Sequence, residues 1–311
     1  MTNPRFRSLF PVALICASAV VLAACGDGGS DSSSGAEGGD APAVVATTSI
    51  WADVTSEVAC GEVDVTSLIP LGTDAHAYEP SVQDADLLLG AGLIVANGLG
   101  LEEGALDAIG AAEADGVPVV ELGDQLDPIE GEGGGEDPHV WMDPDRVALA
   151  VPLIAEGLRS VEGLPVDAEQ IDACAQDYVA ELTALSADLD EQFAALTPSQ
   201  RKLVTNHEAL GYLADRFDLE VIGAIIPSTS SLGESNVRDL EELAATMQEQ
   251  GVTRIYGEVT GSDEVSAALA EQVGANVEII ELFTESLGEP DSGAGTYLEM
   301  MRTNGALIAG K

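Results

Sequence analysis

The chain has 311 residues and carries 11 Lys+Arg against 55 Asp+Glu, a formal net charge of −44 at pH 7. At roughly 150 residues per domain this length accommodates two domains, and 46% hydrophobic residues supply enough apolar surface for real cores, excluding a chain disordered throughout. Nucleic acid is excluded as a partner because phosphate binding rests on Lys and Arg; the acidic surface draws cations weakly, but as a solvated coat it names no function.

Arg5 and Arg7 precede an uncharged run from Leu9 to Ala24. That run is shorter than the about 20 residues a spanning helix needs. A basic flank followed by a short apolar stretch is the pattern of an export signal, so residues 1–24 are set aside from fold reasoning. The run ends Leu22-Ala23-Ala24-Cys25, which resembles the bacterial lipoprotein processing box and makes Cys25 the expected lipid anchor. An ordinary secretory signal with a chance Cys beside its cut is the alternative. From Gly26 to Asp40 only Gly, Ser, Asp, Ala and Glu occur, so residues 25–41 read as a flexible tether. The expected location is outside the cytoplasmic membrane, lipid-anchored, at the cell surface or in the periplasm. Cys16 leaves with the signal, and Cys60 and Cys174 remain as an even pair in an oxidising compartment. A disulfide between them would close a loop of about 115 residues and contribute on the order of 4–5 kcal/mol. Two unpaired buried thiols are the alternative, since the geometry a bond requires is not written in the sequence.

In the body, Val44–Thr48 reads as a strand, Ile50–Ala59 as an amphipathic helix and Val63–Ile69 as the next strand. Ser81 with Asp84 makes a capping box that opens a helix through Leu89. Leu93–Ala96 suits a buried strand, Leu101–Ala114 a helix and Val117–Leu122 another strand. An acidic, Gly-rich loop then runs to Asp137, and a helix follows from about Pro144 to Val161. Asp167 to Leu196 holds neither Gly nor Pro; a helix of some 30 residues would be about 45 Å long, wider than one small domain, and so joins two lobes. Beyond it the alternation resumes with strands at Lys202–Thr205, Leu219–Ile225, Thr253–Tyr256 and Val277–Leu282. Helices are expected at Ala209–Phe217, Asn236–Gln250, Glu264–Val273 and from about Ser292. The predicted fold is α/β, with two lobes that are each a parallel sheet flanked by helices, joined by one long linking helix. The expected boundaries are residues 42–163 for the first lobe, 164–198 for the linking helix and 199–311 for the second lobe.

Only three His occur, and each follows a predicted strand: His76 after Val63–Ile69, His139 after Val117–Leu122 and its loop, His207 after Lys202–Thr205. Open α/β sheets bind ligands outside the carboxyl ends of their strands. All three therefore fall where a site would be, around a cleft between the lobes. A lone His is usually a satisfied surface or core residue; three at strand ends in a chain otherwise devoid of His point towards Zn²⁺, Cu²⁺ or Ni²⁺ rather than Mg²⁺ or Ca²⁺. The matching place for a fourth donor is the end of the last strand, where Glu281 and Glu285 flank Phe283-Thr284, and Glu285 lies just beyond the strand.

These residues carry a family resemblance. Asp74-Ala75-His76-Ala77-Tyr78-Glu79-Pro80-Ser81 resembles the first metal motif of the zinc/manganese receptors of bacterial ABC importers. Asp137-Pro138-His139-Val140-Trp141-Met142-Asp143-Pro144 resembles the second, Asn206-His207-Glu208-Ala209-Leu210-Gly211-Tyr212 the third and Phe283-Thr284-Glu285-Ser286-Leu287 the fourth. Asn97-Gly98-Leu99-Gly100-Leu101-Glu102 also fits, and the resemblance runs from about Val44 to the C-terminus. It implies one metal held between two α/β lobes by His76, His139, His207 and Glu285, and handed to a membrane permease. The expected partners are that permease, the divalent ion and, through lipid at Cys25, the membrane, with the chain a monomer. Ala75 departs from the usual Pro. Glu285 stands where Asp is common, one methylene longer, so that its contact is mono- or bidentate. The loop Gly123–Asp137, often rich in His in zinc-specific members, holds none here.

Three imidazoles and one carboxylate form a borderline donor set. Members with Glu at the third position look manganese-adapted, so His207 favours Zn²⁺, with Mn²⁺ as the alternative. Ligating His must be neutral, so affinity is expected to fall as pH drops through the mid-sixes. Asp143, Glu208 and Glu258 are candidate acceptors for orienting the rings. A zinc-dependent hydrolase is a rival reading, but His207-Glu208-Ala209-Leu210-Gly211 lacks the second His of the metalloprotease helix motif, and a fourth protein donor would fill the position catalysis needs open. A surface adhesin with a structural metal is the other rival. Trp51, Trp141 and Tyr212 read as core or cleft packing.

Overall fold

The alternation of short apolar runs with amphipathic ones folds as two parallel sheets. A computed structural model describes residues 41–311 apart from 132, 133, 262 and 275. The export signal at 1–24, Cys16, the lipid-anchor reading of Cys25 and the tether up to residue 40 lie outside the described residues. In the first lobe, β1 (Ala43–Ala46), β2 (Val65–Ser67), β3 (Ala91–Ala96) and β4 (Val119–Glu121) pair in the order β2-β1-β3-β4. The second lobe repeats the pattern with β5 (Lys202–Thr205), β6 (Glu220–Ala224), β7 (Arg254–Glu258) and β8 (Glu278–Leu282), ordered β6-β5-β7-β8. Every pairing is parallel, so all strand carboxyl ends within a sheet point the same way, and the loops that follow them gather at one edge.

Parallel sheets need cover on both faces. Helices α1 (Ser49–Val58) and α4 (Pro144–Ser160) pack on one face of the first sheet, against Val44, Ala46, Leu93 and Val95. Helices α2 (Val82–Leu89) and α3 (Leu106–Ala114) pack on the other, against Val45 and Ile94. The alternation of Val44, Val45 and Ala46 between two clusters is the period-two geometry of a strand buried on both sides. In the second lobe, α7 (Val237–Gln250) and α8 (Asp263–Val273) cover the outer face around Val204 and Ile255.

The long helix α5 (Ala168–Ala194) starts at a capping box in which Asp167 accepts from Gln170 N and the Gln170 side chain accepts from Asp167 N. Its Ile171, Ala175, Tyr178, Leu182, Leu185, Leu189 and Phe193 are buried at spacings of three and four, one continuous stripe. That stripe joins the inner faces of both lobes, with α6 (Gly211–Phe217) and α9 (Tyr297–Ala309), into a single apolar core. Cys60, two residues past α1, is bonded to Cys174 on α5, with Cα atoms 5.5 Å apart.

Three helix starts depart from the sequence reading. Leu101–Ala114 is not one helix: a turn of 3-10 helix at Glu103–Ala105 precedes α3. The reason is Glu102, whose buried carboxylate turns back to accept from Asn97 N (2.8 Å) and Gly98 N (3.2 Å), closing a loop rather than extending a helix. The last helix starts five residues later than Ser292, at Tyr297, because Thr296 supplies the N-cap and Gly293 takes a left-handed φ of 78° in the turn before it. The helix expected from Ala209 starts at Gly211.

Candidate metal centre

The four side chains singled out in the sequence meet between the lobes. His76 follows β2, His139 follows β4 across its loop, His207 follows β5 and Glu285 follows β8. All four are buried, and one donor atom from each lies within 4.8 Å of every other. The rings meet tip to tip: His139 Nε2 is 3.4 Å from His76 Nε2 and 3.1 Å from His207 Nε2. Glu285 Oε1 stands 3.0 Å from His207 Nε2, 3.3 Å from His76 Nε2 and 3.5 Å from His139 Nε2. Zinc–nitrogen bonds of about 2.0–2.1 Å set tetrahedral donors about 3.3 Å apart, in the middle of that spread. Glu285 Oε1 is buried and has no hydrogen bond among the described residues. Oε2 of the same carboxylate accepts from Ala75 N at 3.2 Å, leaving Oε1 as the oxygen that faces the rings.

Two motifs place their histidines by the same device. In Asp74-Ala75-His76 and Asp137-Pro138-His139 the Asp side chain accepts the backbone N–H of the His two residues on, at 2.9 and 3.0 Å. This is the turn that Asp forms most readily. Asp137 Oδ1 also reaches His139 Nδ1 at 2.7 Å, and Glu258 Oε1 lies 2.6 Å from His207 Nδ1. Each carboxylate leaves Nε2 to face the cleft. His76 differs, because its Nδ1 is buried with no hydrogen-bond partner among the described residues. Of the acceptors proposed from sequence, Glu258 takes the role. Asp143 instead caps α4 by accepting from Asp145 N and pairs with Arg146, so it orients no ring. Glu208 lines a cavity of about 110 Å³ beside Asp137. Asp137 was missed, although its position two before His139 mirrors Asp74 before His76.

Around this cluster buried polar groups brace the first lobe and tie it to the second. Asn97 Nδ2 donates to Pro138 O at 2.9 Å, next to His139, while its Oδ1 accepts from Trp51 Nε1 at 2.8 Å. That is the work of the Asn97–Glu102 motif. Trp141 Nε1 donates to Thr284 O at 2.7 Å, next to Glu285, and Tyr297 OH donates to Trp141 O at 2.7 Å. Tyr212 OH donates to Asp137 O at 2.5 Å and accepts from Ile129 N, while the Arg146 guanidinium sits 4.8 Å above its ring. Trp141 and Tyr212 thus pack in the core and also span the lobes.

The charges follow from this enclosure. Burial opposes a charge on His207, but the carboxylates of Glu258 and Glu285 outweigh it and raise its pKa to about 10. Burial likewise opposes a charge on His139, and Asp137 outweighs it, so its pKa is raised. Burial pushes Glu285 up, yet the three imidazoles hold its carboxyl well below the usual carboxylate range. A negative oxygen surrounded by three ring nitrogens is a cation-binding arrangement.

Residues 44–310 match the protein family described as ZnuA, zinc-uptake complex component A periplasmic. The manganese-binding lipoprotein MntA of Halalkalibacterium halodurans is 30% identical over 287 residues, covering 92% of this chain and 93% of the relative. Among solved structures, the periplasmic zinc binding protein TroA from Treponema pallidum is similar with a TM-score of 0.80 at 29% identity, over 87% of this chain and 98% of that one. A manganese-bound periplasmic metal binding protein from Candidatus Liberibacter asiaticus gives a TM-score of 0.75 at 25% identity, over 86% of this chain and 98% of that one. The chain belongs to the ZnuA family of metal-binding, substrate-binding components of ABC metal importers.

Proposed function

We propose that this chain is an extracytoplasmic, lipid-anchored receptor that takes up one divalent transition metal between its lobes, zinc in preference to manganese, and delivers it to an ABC permease. His76, His139, His207 and Glu285 are the ligands in this reading, and Cys25 carries the lipid. The observation that carries it is the convergence of three Nε2 atoms and one carboxylate oxygen at separations of 3.0–3.5 Å inside a buried cleft. A cation held between these four atoms would draw them together at the separations observed, which supports the reading.

The donor count favours zinc. Glu285 Oε2 is engaged by Ala75 N, which supports a one-oxygen contact and a four-donor, nitrogen-rich site. Such a set suits tetrahedral Zn²⁺, whereas Mn²⁺ prefers more oxygen. Relatives named for either metal keep manganese as the second reading. Elemental analysis of protein from its native host, followed by calorimetric competition between the two ions, decides between them. Zinc is expected to co-purify and to displace manganese; manganese that zinc cannot displace would overturn the preference, and failure to bind either would overturn the receptor reading. A peptide and ester hydrolysis panel on the zinc form, expected to show no turnover, separates the receptor from a hydrolase. Rapid reversible exchange separates it from an adhesin with a fixed structural ion.

A further inference from the structure

The three imidazoles are not held alike. His139 and His207 are each backed at Nδ1 by a carboxylate, from Asp137 and Glu258, at 2.7 and 2.6 Å. Among the described residues no carboxylate stands against His76 Nδ1 as Glu258 stands against His207 Nδ1, so the placing of its ring leans on the turn that carries it. That turn, from Leu71 to Pro80, is built on Asp74, whose Oδ1 accepts from His76 N at 2.9 Å and Ala77 N at 3.3 Å. The other oxygen, Oδ2, accepts from Ser231 Oγ at 2.6 Å, in the second lobe.

Ser231 is itself well placed to hold something. Its loop, between β6 and α7, is stiffened by Ser230 N donating to Ser228 Oγ (3.1 Å) and Leu232 N to Ser230 Oγ (3.3 Å). Glu208 N donates to Ser228 O at 3.0 Å, so the loop is tied to the residue next to His207. One hydroxyl therefore links the His207 segment of one lobe to the His76 turn of the other. Other bonds from the second lobe to this turn include Gly72 N to Ser286 Oγ (2.8 Å) and Ala75 N to Glu285 Oε2 (3.2 Å), and Glu285 also interacts with Asp74.

We propose that Ser231 is a positioning residue for metal retention: its hydroxyl, bonded to Asp74, latches the His76 turn across the cleft, and His76 is the first ligand to leave when that bond breaks. The ion then stays on His139, His207 and Glu285, with one coordination position open to an incoming ligand. This rests on the receptor reading above. It does not require Ser231 to touch the ion, and it makes release a local opening rather than a separation of the whole lobe interface.

The test is stopped-flow release of zinc from the loaded full chain into excess chelator. Loss of a hydrogen bond to a charged acceptor is worth roughly a factor of 10 or more, so S231A is expected to release zinc about tenfold faster. Its association rate is expected to stay as in the unaltered chain. S231T, which keeps the hydroxyl, is expected to restore slow release. In nitrogen NMR of zinc-loaded S231A, the Nε2 signal of His76 alone is expected to broaden. Unchanged release in S231A, release from S231T as fast as from S231A, or equal broadening of all three rings each overturns the latch while leaving the receptor reading intact. Failure of the unaltered chain to bind zinc overturns the receptor reading and the latch with it.

Discussion

Asp137 holds His139 twice, accepting the backbone N–H at 3.0 Å and meeting ring Nδ1 at 2.7 Å with the same oxygen. One carboxylate thus sets both the chain direction and the ring rotation that aims Nε2 at the cleft. Removing an acceptor of this kind from a metal-bound His typically costs about 10–100-fold in affinity. D137N is therefore expected to weaken zinc binding within that range, with E258Q doing the same through His207. Titration of each variant against a competing chelator checks this. An affinity within twofold of the unaltered chain would sink the assignment of either carboxylate.

The acid–base state of the site gives a second expectation. His207 has its pKa raised to about 10 and His139 is raised too, because carboxylates outweigh burial around both rings. A raised His keeps its proton until higher pH, and ligation requires the neutral ring, so metal must expel protons at neutral pH. Zinc affinity is then expected to keep climbing with pH from 6 to about 9, not to level off above the mid-sixes as free imidazole would. Calorimetry in buffers of different ionisation enthalpy reads the protons directly, and at least one is expected to be released per zinc at pH 7. A flat affinity above pH 7 with no proton release is the contrary result.

Asp53 on α1 accepts the N–H of Tyr297, the first residue of α9, at 2.8 Å, so an acid of the first lobe caps a helix of the second. Burial raises its pKa to about 6, with Tyr297 N lowering it and Glu57 and Glu299 raising it further; Tyr178 on α5 shares the same field. The folded pKa exceeds the unfolded one, so this group's contribution to stability is complete below about pH 4 and is lost as pH rises through 6. The metal-free protein is expected to melt at higher temperature at pH 5 than at pH 7.5, with about 1.4 kcal/mol of the difference from Asp53. D53N keeps an acceptor oxygen without the charge and is expected to flatten that dependence. A D53N profile parallel to that of the unaltered chain would refute the attribution.

Most of this architecture is written locally. Val44–Ala46 and Leu93–Ala96 are short, apolar and buried on both faces, as strands of a covered parallel sheet must be, and the Ser81–Asp84 capping box marks α2 directly. The meeting of the four side chains was legible for a similar reason: strand ends are where such sheets bind, and only three His exist to fill the places. What escaped is non-local. Asp143 was one of three candidate orienters, with Glu208 and Glu258, but it caps α4; Glu258 stands against His207 from 51 residues away, and only the local contact of Asp137 with His139 could have been read from the motif. Ser231 sits in a polar loop with no periodicity, 157 residues from Asp74, and nothing in its own neighbourhood announces that contact. The start of α9 slipped for a smaller reason, since Ser292 and Thr296 are both plausible caps and only the turn at Gly293 chooses between them.

The Cys60–Cys174 bond joins the C-terminal end of α1 to the first half of α5 across 114 residues of chain. A helix that follows a strand in a parallel lobe ends at the edge where the next strand begins, so this bond lies at the end of the lobe away from the strand carboxyl ends and the four donors. Its effect should therefore fall on stability and spare binding. Closing so long a loop restricts the unfolded chain by on the order of 4–5 kcal/mol, which for a chain of this size corresponds to a drop of roughly 10 °C in melting midpoint when the bond is removed. The double variant C60A/C174A is expected to show that drop by calorimetry, with zinc affinity within about threefold of the unaltered chain. A large loss of affinity without a loss of thermal stability would mean that α5 transmits strain from the disulfide to the cleft, and the separation of roles argued here would be wrong.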